Sequence, residues 1–192
     1  KTTLSLAVTV ASTQIFAAGF AINEHSISGM GTGYAGRSSS ADDASTVYGN
    51  PAGMSRITRE QVTGGVAFLD AKTDISDASS SPNGGSNKGD MVPFTSVPMG
   101  YYVKPIDEHW AFGLGVYVPF GLITDYENGF AGRYFGSKSE VKIITFQPTV
   151  SYKFNDVVSI GFGPTINRID GSLESNLSIT QAAPDGKVKI KG

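Results

Sequence analysis

The residues able to carry chemistry are few and lie mostly near the start of the chain. Gly31-Thr32-Gly33-Tyr34-Ala35-Gly36 matches the G-x-G-x-x-G string that cradles a pyrophosphate in dinucleotide-binding folds. That string works only between a buried strand and the helix of a βαβ unit. Here the polar, mixed INEHSISGM precedes it and no crossover helix of useful length follows, so the glycines read as points of close backbone passage. Asp42 and Asp43 form a carboxylate pair, but adjacent residues on a helix point different ways. With Ser40 they read as a capping box, Ser40 accepting a first-turn N–H and Asp43 reaching back to the Ser40 backbone. The two histidines, His25 and His109, lack serine and acid partners at recognisable positions for a nucleophilic site. His109 reads as a solvated turn residue. With no cysteine, neither thiolate chemistry nor a disulfide framework is available. These residues point away from an enzyme, and no cofactor or metal is expected.

The elements that hold these residues fall into three stretches. Residues 1–17 begin with Lys1 and run through TTLSLAVTVASTQIFA, an apolar stretch ending in small residues; it reads as a secretory signal cleaved between Ala17 and Ala18. Residues 18–58 are rich in glycine and capping signals and carry little continuous apolar surface, so they are expected to form a compact plug. Within them, Gly49, Asn50 and Pro51 stop any helix, and Asn50-Pro51-Ala52-Gly53 reads as a rigid turn with Asn50 extended. Residues 59–192 change to a period of two. A net charge of −2, from 15 basic and 17 acidic residues, offers no field for nucleic acid. The excess lies in 24 glycines, 11 phenylalanines and 8 tyrosines, a composition that suits closely spaced strands with interfacial rings.

Five runs alternate cleanly. In the third, Trp110, Phe112, Leu114, Val116, Val118, Phe120 and Leu122 share one side and Ala111, Gly113, Gly115, Tyr117, Pro119 and Gly121 the other. The runs approach the ~10 residues that cross a bilayer at a tilt, whereas soluble sandwich strands cluster near ~5–6. Connections also alternate: Lys104 to His109 and Asn155-Asp156 are tight, while Ser76 to Met91 and Asp125 to Ser137 are long and polar. The sequence thus predicts an all-β, transmembrane antiparallel barrel, its large apolar side chains facing lipid and its small or polar set facing the lumen. Pro119 and Gly121 break the third run, since proline gives a ladder no donor and glycine permits a bend. They mark either a bulge that curves the wall or an opening through it.

Gly19 to Met54 resembles the start of the mature FadL/OmpP1/TodX transporters of Gram-negative outer membranes. The similarity rests on GFAINEHSISGMGTGYAG, then ADDASTVYGNPAGM with Asn50, Pro51 and Ala52 as the hatch motif, and continues through Phe120-Gly121-Leu122. The resemblance implies a fourteen-stranded barrel plugged by an N-terminal hatch. It also implies a lateral opening at Pro119, Phe120 and Gly121, gated by the tail from Ala18 to Asn23 with Gly19 and Phe20 at its tip. Implied partners are a long-chain fatty acid or similar hydrophobic compound, with outer-membrane lipid and lipopolysaccharide around a monomer. About five strands are expected here, fewer than the eight of the smallest closed barrel, so the chain reads as an N-terminal fragment. The basic residues for a ligand carboxylate are unassigned: Leu173-Glu174-Ser175 stands where an arginine is expected, leaving Lys153 and Arg168 as candidates. Relatives that carry aromatic or alkane hydrocarbons offer a second substrate class. An aqueous porin, a lipid hydrolase and an adhesive barrel are the rivals; a plug argues against the first and last, and the histidines against the second.

Overall fold

A computed structural model describes residues 21–77, 79, 84–87, 90–177 and 186–192; the signal expected over 1–17 and the tail tip Gly19–Phe20 lie outside them. The chain opens with two short helices, α1 (Ile27–Gly31) and α2 (Thr46–Gly49), and a 3-10 helix (Pro51–Arg56). Seven strands follow: β1 (Gln61–Leu69), β2 (Thr95–Pro105), β3 (Trp110–Asp125), β4 (Lys138–Lys153), β5 (Ser159–Phe162), β6 (Ile166–Leu177) and β7 (Gly186–Lys191). All join one antiparallel sheet in the order β1-β2-β3-β4-β6-β7, with β5 also on β4. Among the described residues no helix is long and apolar enough to cross a membrane.

β5 and β6 are one line of chain. Val150 pairs with Phe162 and Phe146 with Ile166, the same register on either side of Gly163-Pro164-Thr165. The break falls level with Pro148, so two prolines that donate nothing face each other across the ladder. The fifth run therefore extends to Leu177, further than its alternation indicated, and β7 adds a strand beyond it.

The N-terminal layer, residues 21–60, packs on one face of this sheet. Val47 and Met54 are fully buried, and a Cβ on Gly113 would lie 2.5 Å from Met54 Sδ and 2.7 Å from Val47 Cγ2. Glycine is required there because only a missing side chain lets the layer sit on the strand. On β4 the same face carries Thr145, Gln147, Thr149 and Ser151, all buried, while Trp110, Phe112, Val116, Phe146 and Val150 point away and are exposed. On these strands the expected sorting holds: large and apolar outward, small or polar inward. On β2 it is reversed. Val97, Met99, Tyr101 and Val103 are buried beneath the layer, because Ala44, Val47 and Ile57 need an apolar bed.

The expected capping box does not form. Ser45, not Ser40, precedes α2, and Asp43 accepts from the Ser45 N–H at 2.8 Å and from Ser28 Oγ at 2.7 Å. The chain turns too early for Asp43 to reach Ser40. A side-chain cap is found at Ser26, whose Oγ accepts from Gly29 N at 3.0 Å at the start of α1. The glycine string forms turns, with Gly33, Tyr34 and Gly36 all at positive φ. Asn50 is extended as expected (φ −155°), and Pro51 begins the 3-10 helix. His109 is a turn residue held by Asp107, whose carboxylate accepts from the His109 and Trp110 amides.

Candidate functional site

The site is a seam between β2 and β3. Their ladder runs from Pro105↔Ala111 to Gly100↔Val116 and stops, so Thr95–Met99 and Tyr117–Asp125 share no pairing. Pro98 and Pro119 bring no N–H to that seam. Opposite it, β3 carries a bulge against β4: Tyr117 pairs with Thr145 but Phe120 with Ile143, leaving Val118 and Pro119 to oppose Ile144 alone. One inserted residue shifts every later side chain to the other face. Phe120 and Leu122, expected on the lipid side with Phe112, therefore lie level with Ile143 and Val141 on the side that carries the N-terminal layer. Further along that face stand Ile169 and Leu173 of β6, paired beside Ile143 and Ser139.

The tail enters the seam. Ile22 N donates to Pro119 O at 3.0 Å, and Ala21 bridges Phe120 in antiparallel sense. Ile22 Cδ1 lies 3.1 Å from where a Cβ on Gly121 would stand, so glycine leaves room for the isoleucine. Pro119, Phe120 and Gly121 are thus brought together with Ala21 and Ile22, while Gly19 and Phe20 fall outside the described residues.

Behind the tail lies a packed polar cluster. The His25 ring is 1% exposed and sits 4.4 Å from the Tyr48 ring and 5.3 Å from that of Tyr117. Tyr48 and Tyr117 touch at 4.8 Å. Tyr117 Oη donates to Gln147 Oε1, and Gln147 Nε2 donates to Val47 O at 3.0 Å, tying wall to layer. Neither His25 nitrogen meets hydrogen-bond geometry with a partner. Burial lowers its pKa from 6.5 to about 4; the Ile22 carbonyl and Glu24 oppose this and Arg37 reinforces it. The Asp43 pKa is lowered as well: burial would raise it, but the Ser28 and Ser45 hydrogen bonds outweigh burial and hold it below the ordinary value.

The Asn50–Ala52 motif anchors the layer elsewhere, against β5. Thr46 Oγ1 donates to Asn50 O, Ser159 Oγ donates to Ala52 O at 3.1 Å, and a Cβ on Gly161 would lie 2.4 Å from the Ala52 nitrogen. Lys153 pairs with Asp156 at 2.7 Å at the short-turn end, and Arg168 pairs with Asp170 on the face away from the layer. Neither reaches the apolar side chains beyond the bulge. Tyr117 and Gln147 escaped the sequence reading. Tyr117 was visible as the one large ring in the series Ala111, Gly113, Gly115, Tyr117.

A meandering antiparallel wall, greasy outward, with tight turns at one end, long loops at the other and a polar layer against its inner face, is the construction of an outer-membrane strand protein. The chain belongs to the family of outer-membrane transport proteins described as OMPP1/FadL/TodX, which residues 8–190 match. It is 34% identical over 164 residues to the long-chain fatty acid transport protein of Escherichia coli strain K12, covering 85% of this chain and 36% of that one. It is 29% identical over 201 residues to outer membrane protein P1 of Haemophilus influenzae, covering 97% and 44%. A Pseudomonas aeruginosa FadL homologue has the same fold, with a TM-score of 0.68 at 24% identity over 91% of this chain and 47% of that one. The chain spans less than half the length of these relatives. The family comprises transporters, not enzymes, and it lies in the outer membrane of Gram-negative bacteria.

Proposed function

We propose that the whole protein takes up long-chain fatty acids passively and releases them sideways into the bilayer through the β2–β3 seam. The observation that carries this reading is the Ile22–Pro119 hydrogen bond, which closes a break in the wall with the chain's own tail. Residues 21–60 act as a hatch in a barrel completed by further strands, fourteen in the family. The apolar side chains beyond the bulge, from Phe120 and Leu122 to Ile169 and Leu173, line the path above it. A long acyl chain gains ~0.8 kcal/mol per methylene buried there, which concentrates it without coupled energy. Withdrawal of Ala18 to Asn23 uncovers Pro119, Phe120 and Gly121, and the ligand leaves for lipid without crossing water. No energy-coupling motif occurs in the sequence, which supports transport down the ligand's own gradient.

A second reading, uptake of aromatic or alkane hydrocarbons, is favoured by the positions of Lys153 and Arg168. Neither stands by the apolar path, so neither of the two candidate cations is placed there to meet a carboxylate. Purifying the full-length protein from its membrane and identifying the bound ligand by mass spectrometry separates the two. Fatty acid is expected; hydrocarbon alone would reassign the substrate, and a lumen that passes sugars would overturn both.

A further inference from the structure

The cluster behind the tail holds more polar groups than it satisfies. Both His25 nitrogens, Tyr34 Oη, Arg37 Nη1 and Tyr101 Oη are shut off from solvent and find no hydrogen-bond partner among the described residues. They belong to one neighbourhood. The Arg37 guanidinium stands 5.9 Å from the centre of the Tyr34 ring and 5.4 Å from that of Tyr48. Tyr48 touches His25 and Tyr117, and the Tyr117 ring stacks on that of Tyr101 at 6.0 Å. Tyr101 belongs to the wall, 3% exposed beneath the layer; His25, Tyr34 and Arg37 belong to the layer itself. Strands beyond residue 192 cannot supply the missing partners, because each of these atoms is already enclosed by the described residues. Tyr34 carries a second cost: its φ is 63°, in the left-handed region that a bulky side chain rarely adopts.

These costs exist only while the layer is seated. A buried polar group without a partner forfeits its hydration and gains nothing in return, and lifting the layer from β2 gives that hydration back. Backbone strain of the Tyr34 kind likewise persists only where the surroundings hold it. Opposing them are the apolar contacts of Ala44, Val47 and Met54 and the Gln147 bond to Val47 O. Two stacked tyrosines on the wall thus act in opposite senses. The Tyr117 hydroxyl donates to Gln147 and helps to hold the layer, whereas the Tyr101 hydroxyl donates to nothing and works against it. We propose that the N-terminal layer is a metastable closure, held by packing against a stored polar cost, with the Tyr34 and Tyr101 hydroxyls as the parts that keep it ready to lift. The inference rests on the reading of residues 21–60 as a hatch. Its test needs no ligand, so its failure and a failure of lateral uptake are told apart.

Hydrogen exchange of the full-length protein in detergent, read by mass spectrometry, reports how often the layer opens. The amides to follow are Val47, Asn50 and Gly53, which donate to Ala44 O, Thr46 O and Asn50 O inside the layer. Tyr101→Phe and Tyr34→Phe keep each ring and remove the unpartnered hydroxyl, so each is expected to slow that exchange about tenfold. Tyr117→Phe removes a bonded hydroxyl and is expected to quicken it by a similar factor. Exchange at the parent rate or faster in either Tyr101→Phe or Tyr34→Phe overturns the proposal. So does slowing in Tyr117→Phe, since loss of a hydroxyl would then stabilise the layer whatever its partner. Should the variants fail to insert, the parent protein decides by itself. Its layer amides are expected to exchange at least about a hundredfold sooner than the ladder amides of β3 and β4, and equal protection overturns the metastable closure.

Discussion

His25 links the tail to the wall in a way that pH can report. Its pKa is about 4 in place against 6.5 when free, so the seated arrangement excludes a proton that the released one would accept. The sign follows from linkage: seating is fully favoured above about pH 6.5 and is lost as pH falls toward 4. Between pH 7 and 5 the seated-to-released ratio should fall about twentyfold. A spin label on Asn23→Cys in the full-length protein is expected to gain mobility over that interval. The groups around the ring are Glu24, Arg37, Tyr48 and Tyr117. His25→Phe should therefore hold the label still at both pH values. A parent protein with no change in mobility would remove His25 from the account. Gly121→Val makes the complementary point: its Cβ would crowd Ile22, so the same label should be mobile already at pH 7.

Gly113 on β3 and Gln147 on β4 both help to seat the N-terminal layer. Gly113→Leu would drive a side chain into Met54 and Val47, a strain of about 1–3 kcal/mol or more, while leaving the lipid face untouched. The variant should insert normally yet release fragments cut at Arg37 or Arg56 sooner under trypsin. Gln147→Leu strands the Val47 carbonyl and the Tyr117 hydroxyl, at about 1–3 kcal/mol for each buried group left unpaired. Its layer should also detach at lower denaturant, with proteolysis as the measure. These strands were legible in sequence because their two faces meet different media, lipid on one side and a glycine-bedded layer on the other. β2 was not, since its inward face meets Ala44, Val47 and Ile57, and an apolar partner inside looks the same as lipid outside. The facing of Phe120 and Leu122 was hidden for a different reason. Alternation counts residues, and a bulge adds one without altering the pattern of types. Pro119 marked the place, but proline at a bulge and proline at an edge read alike.

At the scale of the molecule, the seam, the tail and the inverted polarity beyond the bulge belong to one arrangement. Below the bulge the layer fills the inner face; beyond it Phe120, Leu122, Val141 and Ile143 turn inward and the charges turn outward. The long loops join above, where Ser86 bridges Phe130 and Arg133 donates to Gly84 O at 3.0 Å. On the proposed function the bore of the whole protein is stoppered, so liposomes holding the full-length protein are expected to show no sugar-driven swelling. Deleting Pro119 tests the central claim most directly. It removes the one extra residue opposite Ile144, restores a regular ladder, and keeps Phe120 and Leu122 on the faces they already occupy. Uptake of labelled oleate by cells carrying the deletion in the full-length protein is the measurement, with heat-modifiable migration confirming an inserted barrel. The account predicts uptake reduced at least tenfold at normal insertion; uptake at the parent rate through an unbroken third strand would contradict it.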